Sequence, residues 1–277
     1  MNKVLYILAL MLILCVPADS LARSSKSKKK SRQPAVTSYG WRKTVTSDNQ
    51  IELYPDKPLN KIANYTSVTV KYVVSSVPSI TIKGPKDKIG NVSITNSNRA
   101  VSIASKNDKN TDFSGVTVRV ASPAVGNLSV FGSGGISAEE INCSSAVLQS
   151  FGSGDITVGS LDCTGLKINL YGSGDIRANR LDATSVQAVS QSSGDLSVGS
   201  ADVTTLSLTL QGSGNILFKK VDGTGLRAIN QGAGNIEVSG NFTSASLLLY
   251  GSGDIIARGV KAPRITKENL GSGSIRD

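Results

Sequence analysis

The chain has 277 residues, a formal charge of +10, 5% aromatic residues and no histidine. That length suits one large or two ordinary domains. Without His, the commonest general base and metal ligand is missing, which excludes Ser–His and Cys–His catalysis and His-based zinc sites. Abundant Gly and Ser beside Val, Ile and Thr favour strands and tight turns over helices.

In chain order, Lys3 supplies a thin charged start, residues 4–16 an apolar run, and Ser20-Leu21-Ala22 a small-x-small cleavage site. Residues 1–22 are therefore expected to be a signal peptide, with a run too short to span a bilayer comfortably. Leu14 precedes Cys15 where a lipoprotein signal needs a small residue, so lipid attachment at Cys15 is the weaker reading. The segment "RSSKSKKKSR" (23–32) carries six positive charges and no negative ones. Positive charge just after an apolar run opposes translocation, which runs against export. Residues 23–38 are expected to form a basic disordered linker, able to make peripheral contact with an anionic surface through 23–32. No aromatic residues interleave with the basic ones, so a nucleic-acid partner is not expected.

Residues 39–125 contain alternating runs such as "SVTVKYVV" (67–74), "SITIKG" (79–84) and "GVTVRVASP" (115–123) without a fixed period. They are expected to form an irregular β lobe that caps the rest of the chain. From 126 to 277 the chain repeats: GSGGI (132–136), GSGDI (152–156, 172–176), SSGDL (192–196), GSGNI (212–216), GAGNI (232–236), GSGDI (251–255) and GSGSI (271–275). The spacing is twenty residues, with one interval of nineteen before Gly251. A unit of short strands and corners cannot bury its apolar face alone, whereas stacked units can. The fold expected is all-β: a parallel β-solenoid of about eight 20-residue coils, preceded by the capping lobe. Hairpins at each GSG would tolerate varying loop lengths, and the nearly constant perimeter argues against them.

In a solenoid, equivalent residues stack into columns. The second loop glycine (Gly154, Gly174, Gly194, Gly214, Gly234, Gly253) is expected to adopt positive φ or to lie too close to a neighbour for a Cβ. The loop position Asp155, Asp175, Asp195, Asn215, Asn235, Asp254 is read as a capped turn, not a calcium site or a catalytic carboxylate pair. The D-x-T spacing of Asp162 and Thr164, repeated through Asp222 and Thr224, is read as a side-chain-capped turn. Cys143 and Cys163 lie one repeat apart; a disulfide and two stacked free thiols both satisfy that spacing. Just before each loop come Phe131, Phe151, Tyr171, Gln191, Gln211, Gln231, Tyr250 and Leu270, which alternation turns outward. They form ladders, and Phe131, Phe151, Tyr171 and Tyr250 are the candidate ligand surface, for sugar rings or apolar contact.

The string "VTVRVASPAVGNLSVFGSGGI" (116–136), with serial GSGDI loops after it, resembles the family of auto-transporter adhesins with a head GIN domain, over roughly residues 60–277. The resemblance implies bacterial envelope proteins that are exported, built of β-solenoid-like lobes and adhesive in role; it supplies no catalytic motif. No membrane-anchoring barrel is expected in these 277 residues. The reading is a non-enzymatic protein of the periplasm, outer-membrane surface or exterior, presenting a solenoid surface to an envelope glycan or protein. No cofactor and no metal are expected. Two other readings stay open: a polysaccharide lyase or hydrolase, whose best off-repeat cluster would be Lys219, Lys220 and Arg227, and a structural assembly subunit.

Overall fold

The structure, a computed structural model, describes residues 41–107 and 111–276. The signal peptide, Cys15 and the basic linker lie outside the described residues. Strands alternate between buried and exposed residues, as a pleat with one dry face requires. The only helix among the described residues is one turn, α1 (Lys86–Ile89).

The lobe contributes β1 (Trp41–Thr46), β2 (Gln50–Pro55), β3 (Lys61–Asn64), β4 (Thr69–Val74), β5 (Ser79–Lys83), β6 (Val92–Ser97), β7 (Ala100–Ser105) and β8 (Thr117–Ser122). At its outer edge the pairing is antiparallel, β1 on β2, β2 on β5, β5 on β8 and β6 on β7. Deeper in, the pairing is parallel. Strands β3 and β4 lie between two layers, pairing on one side with β7 and β8 and on the other with β9 (Asn127–Val130) and β10 (Ile136–Asn142). Residues 61–74 are thus a solenoid coil, inserted between layers that come later in the chain. The capping function falls to the antiparallel strands beyond it.

The coils continue with β11 (Ser145–Ser150), β12 (Ile156–Leu170), β13 (Ile176–Ser190), β14 (Leu196–Leu210) and β15 (Ile216–Asn230). Strands β12 to β15 pair in parallel at a register of twenty, Ile156 on Ile176 on Leu196 on Ile216. All four of these side chains are buried, so the column expected as core is core. The stack ends in β16 (Ile236–Asn241), β17 (Ser244–Leu249), β18 (Ile255–Ile256), β19 (Arg264–Asn269) and β20 (Ile275–Arg276).

One local expectation needs correction. Each D-x-T stretch lies inside a continuous 15-residue strand, and no side-chain hydrogen bond caps it. The coil bends there without leaving the ladder, because pairing on both sides supplies the backbone partners that a turn would otherwise need. The nineteen-residue interval is absorbed at one corner, where the register shifts between Phe218 and Val221. Lys220 takes φ 48° and Gly240 φ 147°. A Cβ on Gly240 would lie 1.9 Å from the Val221 carbonyl oxygen, so only glycine fits.

One inner column alternates in polarity with each coil: Asn64, Val130, Ser150, Leu170, Ser190, Leu210, Asn230, Leu249, Asn269. The polar members are wired to their own loops. Ser150 Oγ donates to the Gly154 carbonyl (3.1 Å), and Asn230 Nδ2 to that of Gly234 (2.8 Å). Asn64 and Asn230 also reach the following coil, at Gly134 O (2.9 Å) and Asp254 O (3.1 Å). At Gly134 the carbonyl is served from the preceding coil and needs no donor from its own, and aliphatic Val130 takes that place and fills the core.

Candidate functional site

The loops explain the site. The second loop glycine does not use positive φ; that region holds only Gly84, Gly115, Gly240 and Gly259 among the described glycines. The cause is close approach: a Cβ on Gly154 would lie 2.5 Å from Gly134 O, and one on Gly174 2.2 Å from Gly154 O. Gly194, Gly214, Gly234 and Gly253 meet the same obstacle at 1.9–2.2 Å. The loops nest backbone on backbone, so the residues just before them come into register one above another.

Tyr65, Phe131, Phe151 and Tyr171 therefore form one continuous stack. Successive ring centroids are 4.5, 4.9 and 5.0 Å apart, with interplanar angles of 4°, 4° and 16°. Tyr65 was invisible in the repeat because its coil belongs to the irregular lobe; the alternation in "KIANYTSVTV" is its only signal. Tyr65 and Tyr171 are 49% and 41% exposed, while the phenylalanines are half-buried. Above Tyr171 the column becomes a glutamine ladder: Gln191 Nε2 donates to Gln211 Oε1, and Gln211 Nε2 to Gln231 Oε1 (2.7 Å). Tyr250 lies beyond that ladder, 43% exposed and separate from the stack, followed by Leu270 at 67%. Three of the four candidate surface residues are brought together; Tyr250 is not.

The stacking has a chemical consequence. Face-to-face rings cover one another's π-faces, so the strip presents C–H edges and two phenol ends. A sugar docking by its C–H face needs an open ring face. Along the inner part of this strip none is open.

The loop Asx column is a ladder between coils, not a cap within each turn. Asp155 Oδ1 accepts from Asp175 N (2.8 Å), Asp175 Oδ1 from Asp195 N (2.7 Å), Asp195 Oδ1 from Asn215 N (2.7 Å) and Asn215 Oδ1 from Asn235 N (3.0 Å). Asp254 continues it to Ser274 N (2.8 Å), and that bond, with Ser274 Oγ and the nearby Arg276, holds its carboxyl below the usual range. Asn serves as well as Asp, since only Oδ1 is needed.

Cys143 and Cys163 are free thiols in adjacent coils, the first half-buried and the second buried. Burial pushes Cys163 up to about 11 and raises Cys143 as well. Lys219 and Lys220 stand at the register shift and Arg227 in a separate outward column with Ser207; none has an ion-pair partner among the described residues. No group of three or more acidic or thiol side chains is arranged to hold a metal among the described residues.

A family model described as putative auto-transporter adhesin, head GIN domain, matches residues 58–200 and 180–276. The chain belongs to this family. The first match starts in the lobe and runs into the coils, so it takes in the inserted coil, residues 61–74, of this GIN-domain protein. Solved structures share the fold. One, from Bacteroides fragilis, is described as a putative adhesin (20% identity, 86% of this chain and 98% of that one, TM-score 0.61). Another putative adhesin, from Parabacteroides distasonis, is 16% identical over 82% of this chain and 95% of its own, with a TM-score of 0.71. A third, also from Parabacteroides distasonis, is described as a putative lipid binding protein (22% identity, 82% and 96%, TM-score 0.66). No curated protein matches the chain. Neither the family description nor these three names describe an enzyme.

Proposed function

We propose that this protein is an exported, non-enzymatic binding scaffold of the cell envelope, and that the Tyr65–Phe131–Phe151–Tyr171 strip is its contact surface for a protein partner. The strip carries the reading. It is an outward row of apolar ring edges ending in exposed tyrosines, a surface type enriched at protein interfaces. The rest of the coil surface favours binding over chemistry, because acids and amides recur as a ladder from Asp155 to Asp254, whereas a catalytic pair is a single constellation. The family's adhesin description and the neighbours' names point the same way, while the lipid-binding description adds an apolar ligand class.

The test uses a variant that keeps the ladder. Replacing Phe151 and Tyr171 by Gln extends the existing Gln191–Gln231 ladder downward and removes two aromatic edges. Purified protein is expected to adsorb to envelope fractions, and Phe151→Gln/Tyr171→Gln to weaken adsorption about tenfold with its melting transition retained. Unchanged adsorption would remove the strip from the proposal. Product release from a polysaccharide panel would overturn the non-enzymatic reading, and recovery from cytoplasm with an intact N-terminus would overturn export.

A further inference from the structure

A second surface lies on the face beside the Asx ladder, away from the aromatic strip. Parallel register places Arg177, Ser197, Leu217 and Glu237 one above another in successive coils, all outward. Ser197 is the small member, and the column dips there. The dip opens a groove of about 360 Å³ that crosses successive coils, bounded by Arg177 at one end, by Glu237 and Ile256 at the other, and by Asp195, Asn215 and Asn235 along one side. Buried Leu196 and Ile216 lie at its floor.

The polar atoms around it are not all engaged. The Asx ladder uses Oδ1 of Asp195, which accepts from Asn215 N and Asn215 Nδ2, and Oδ1 of Asn235, which accepts from Asp254 N. Asp195 Oδ2, Asn235 Nδ2 and the Glu237 carboxylate have no hydrogen-bond partner among the described residues. The ladder fixes the first two side chains, so they are pre-set acceptors and donors. Arg177 is held by Asp175 and, at 3.4 Å, by Asp155, which offset its charge and set its position. What remains is net anionic, with one acceptor along the side at Asp195, another at the Glu237 end, an amide donor at Asn235, and the half-buried Leu217 between them.

We infer that this groove binds a neutral oligosaccharide lying along the coil stack. Hydroxyl groups donate to Asp195 Oδ2 and Glu237 and accept from Asn235 Nδ2, and Leu217 meets an apolar C–H face; a few placed polar groups around an apolar patch set orientation. Polyanionic glycans are repelled by the two uncompensated carboxylates. The inference rests on the binding reading above but assigns the glycan to a different surface from the aromatic strip.

The experiment titrates purified protein by calorimetry with short neutral gluco-, manno- and xylo-oligosaccharides, with alginate oligosaccharides, and with oligolysine. Ser197→Tyr fills the dip, and large side chains already occupy that column at Arg177 and Leu217, so the coil accommodates it. Glu237→Gln keeps shape and removes charge. At least one neutral oligosaccharide is expected to bind; Ser197→Tyr weakens it at least tenfold by occupying the dip, and Glu237→Gln about tenfold, the worth of one charge-assisted hydrogen bond. Phe151→Gln/Tyr171→Gln leaves it unchanged. The groove assignment is overturned if no neutral oligosaccharide binds, if a well-folded Ser197→Tyr binds as wild type does, if only the strip variant loses binding, or if oligolysine or alginate is preferred. Envelope adsorption that survives any of these outcomes leaves the scaffold reading standing and removes the groove alone.

Discussion

Two glycines separated by a few residues carry opposite constraints. Gly174 faces the Gly154 carbonyl oxygen at 2.2 Å from where its Cβ would be, whereas Gly165 has nothing within 4 Å and no positive φ. Gly165 also shares its column with Ser185 and Thr205. Gly174→Ala is expected to destabilise by about 3 kcal/mol through forced separation of coils, and Gly165→Ala to stabilise by about 0.5 kcal/mol by narrowing the unfolded ensemble. Chemical denaturation checks both, and equal effects would mean that nesting is not what the glycine column serves. A second residue-scale case is Asp112, held down at about 2 from an ordinary 3.8, first by Lys88 (2.6 Å) and then by Ser114 N and Oγ. A carboxyl depressed on folding adds stability above its unfolded pKa and loses it as pH falls to the folded one. Acidification from about pH 4 to pH 2 should therefore destabilise wild type more than Asp112→Asn, as read from melting temperatures across that range.

Among the elements, β19 pairs on one side only among the described strands, with β17. Lys267 occupies the register position of buried Leu247, and of Ala228 and Leu208 before it. A charge at an inward position on a terminal strand opposes addition of a further strand. Lys267→Leu is expected to promote end-to-end association, seen as a rise in mass by light scattering with protein concentration; a mass equal to wild type throughout would show that the edge is protected by something else. At the opposite end the protection is antiparallel pairing, β1 on β2 and β2 on β5. Strand ends and loop positions from residue 132 onward were readable from the repeat, because period-two alternation and the serial Gly/Ser loops both survive in those coils. The corners were not. A D-x-T stretch reads as a turn when taken alone, and only pairing on both sides keeps it in the ladder.

For the stack as a whole, each coil touches mainly its neighbours, so coils should be removable in register. The alternating inner column sets the unit of removal at two coils. Deleting residues 176–215 joins Asp175 to Ile216 and sets Leu170 beside Asn230, preserving the alternation. Deleting 176–195 instead sets Leu170 beside Leu210 and removes Ser190. The forty-residue deletion is expected to melt cooperatively, and the twenty-residue one to melt lower or more broadly, as followed by circular dichroism. The reverse order would mean that the polar column contributes little.

The sequence by itself determined the β class, the twenty-residue perimeter, the core column of Ile and Leu, and the outward row of Phe131, Phe151 and Tyr171. All of these come from local alternation repeated at constant spacing, and a repeat places equivalent residues in register. Tertiary structure decided what depends on contacts between coils. It placed residues 61–74 between layers that come after them in the chain and so added Tyr65 to the stack, a rearrangement that no sequence period records. It turned the Asx loops from caps into a ladder, because the nearest free amide belongs to the next coil. It covered the aromatic faces by stacking. The groove over Ser197 likewise exists only because register sets a small residue between an arginine and a leucine twenty residues away on either side.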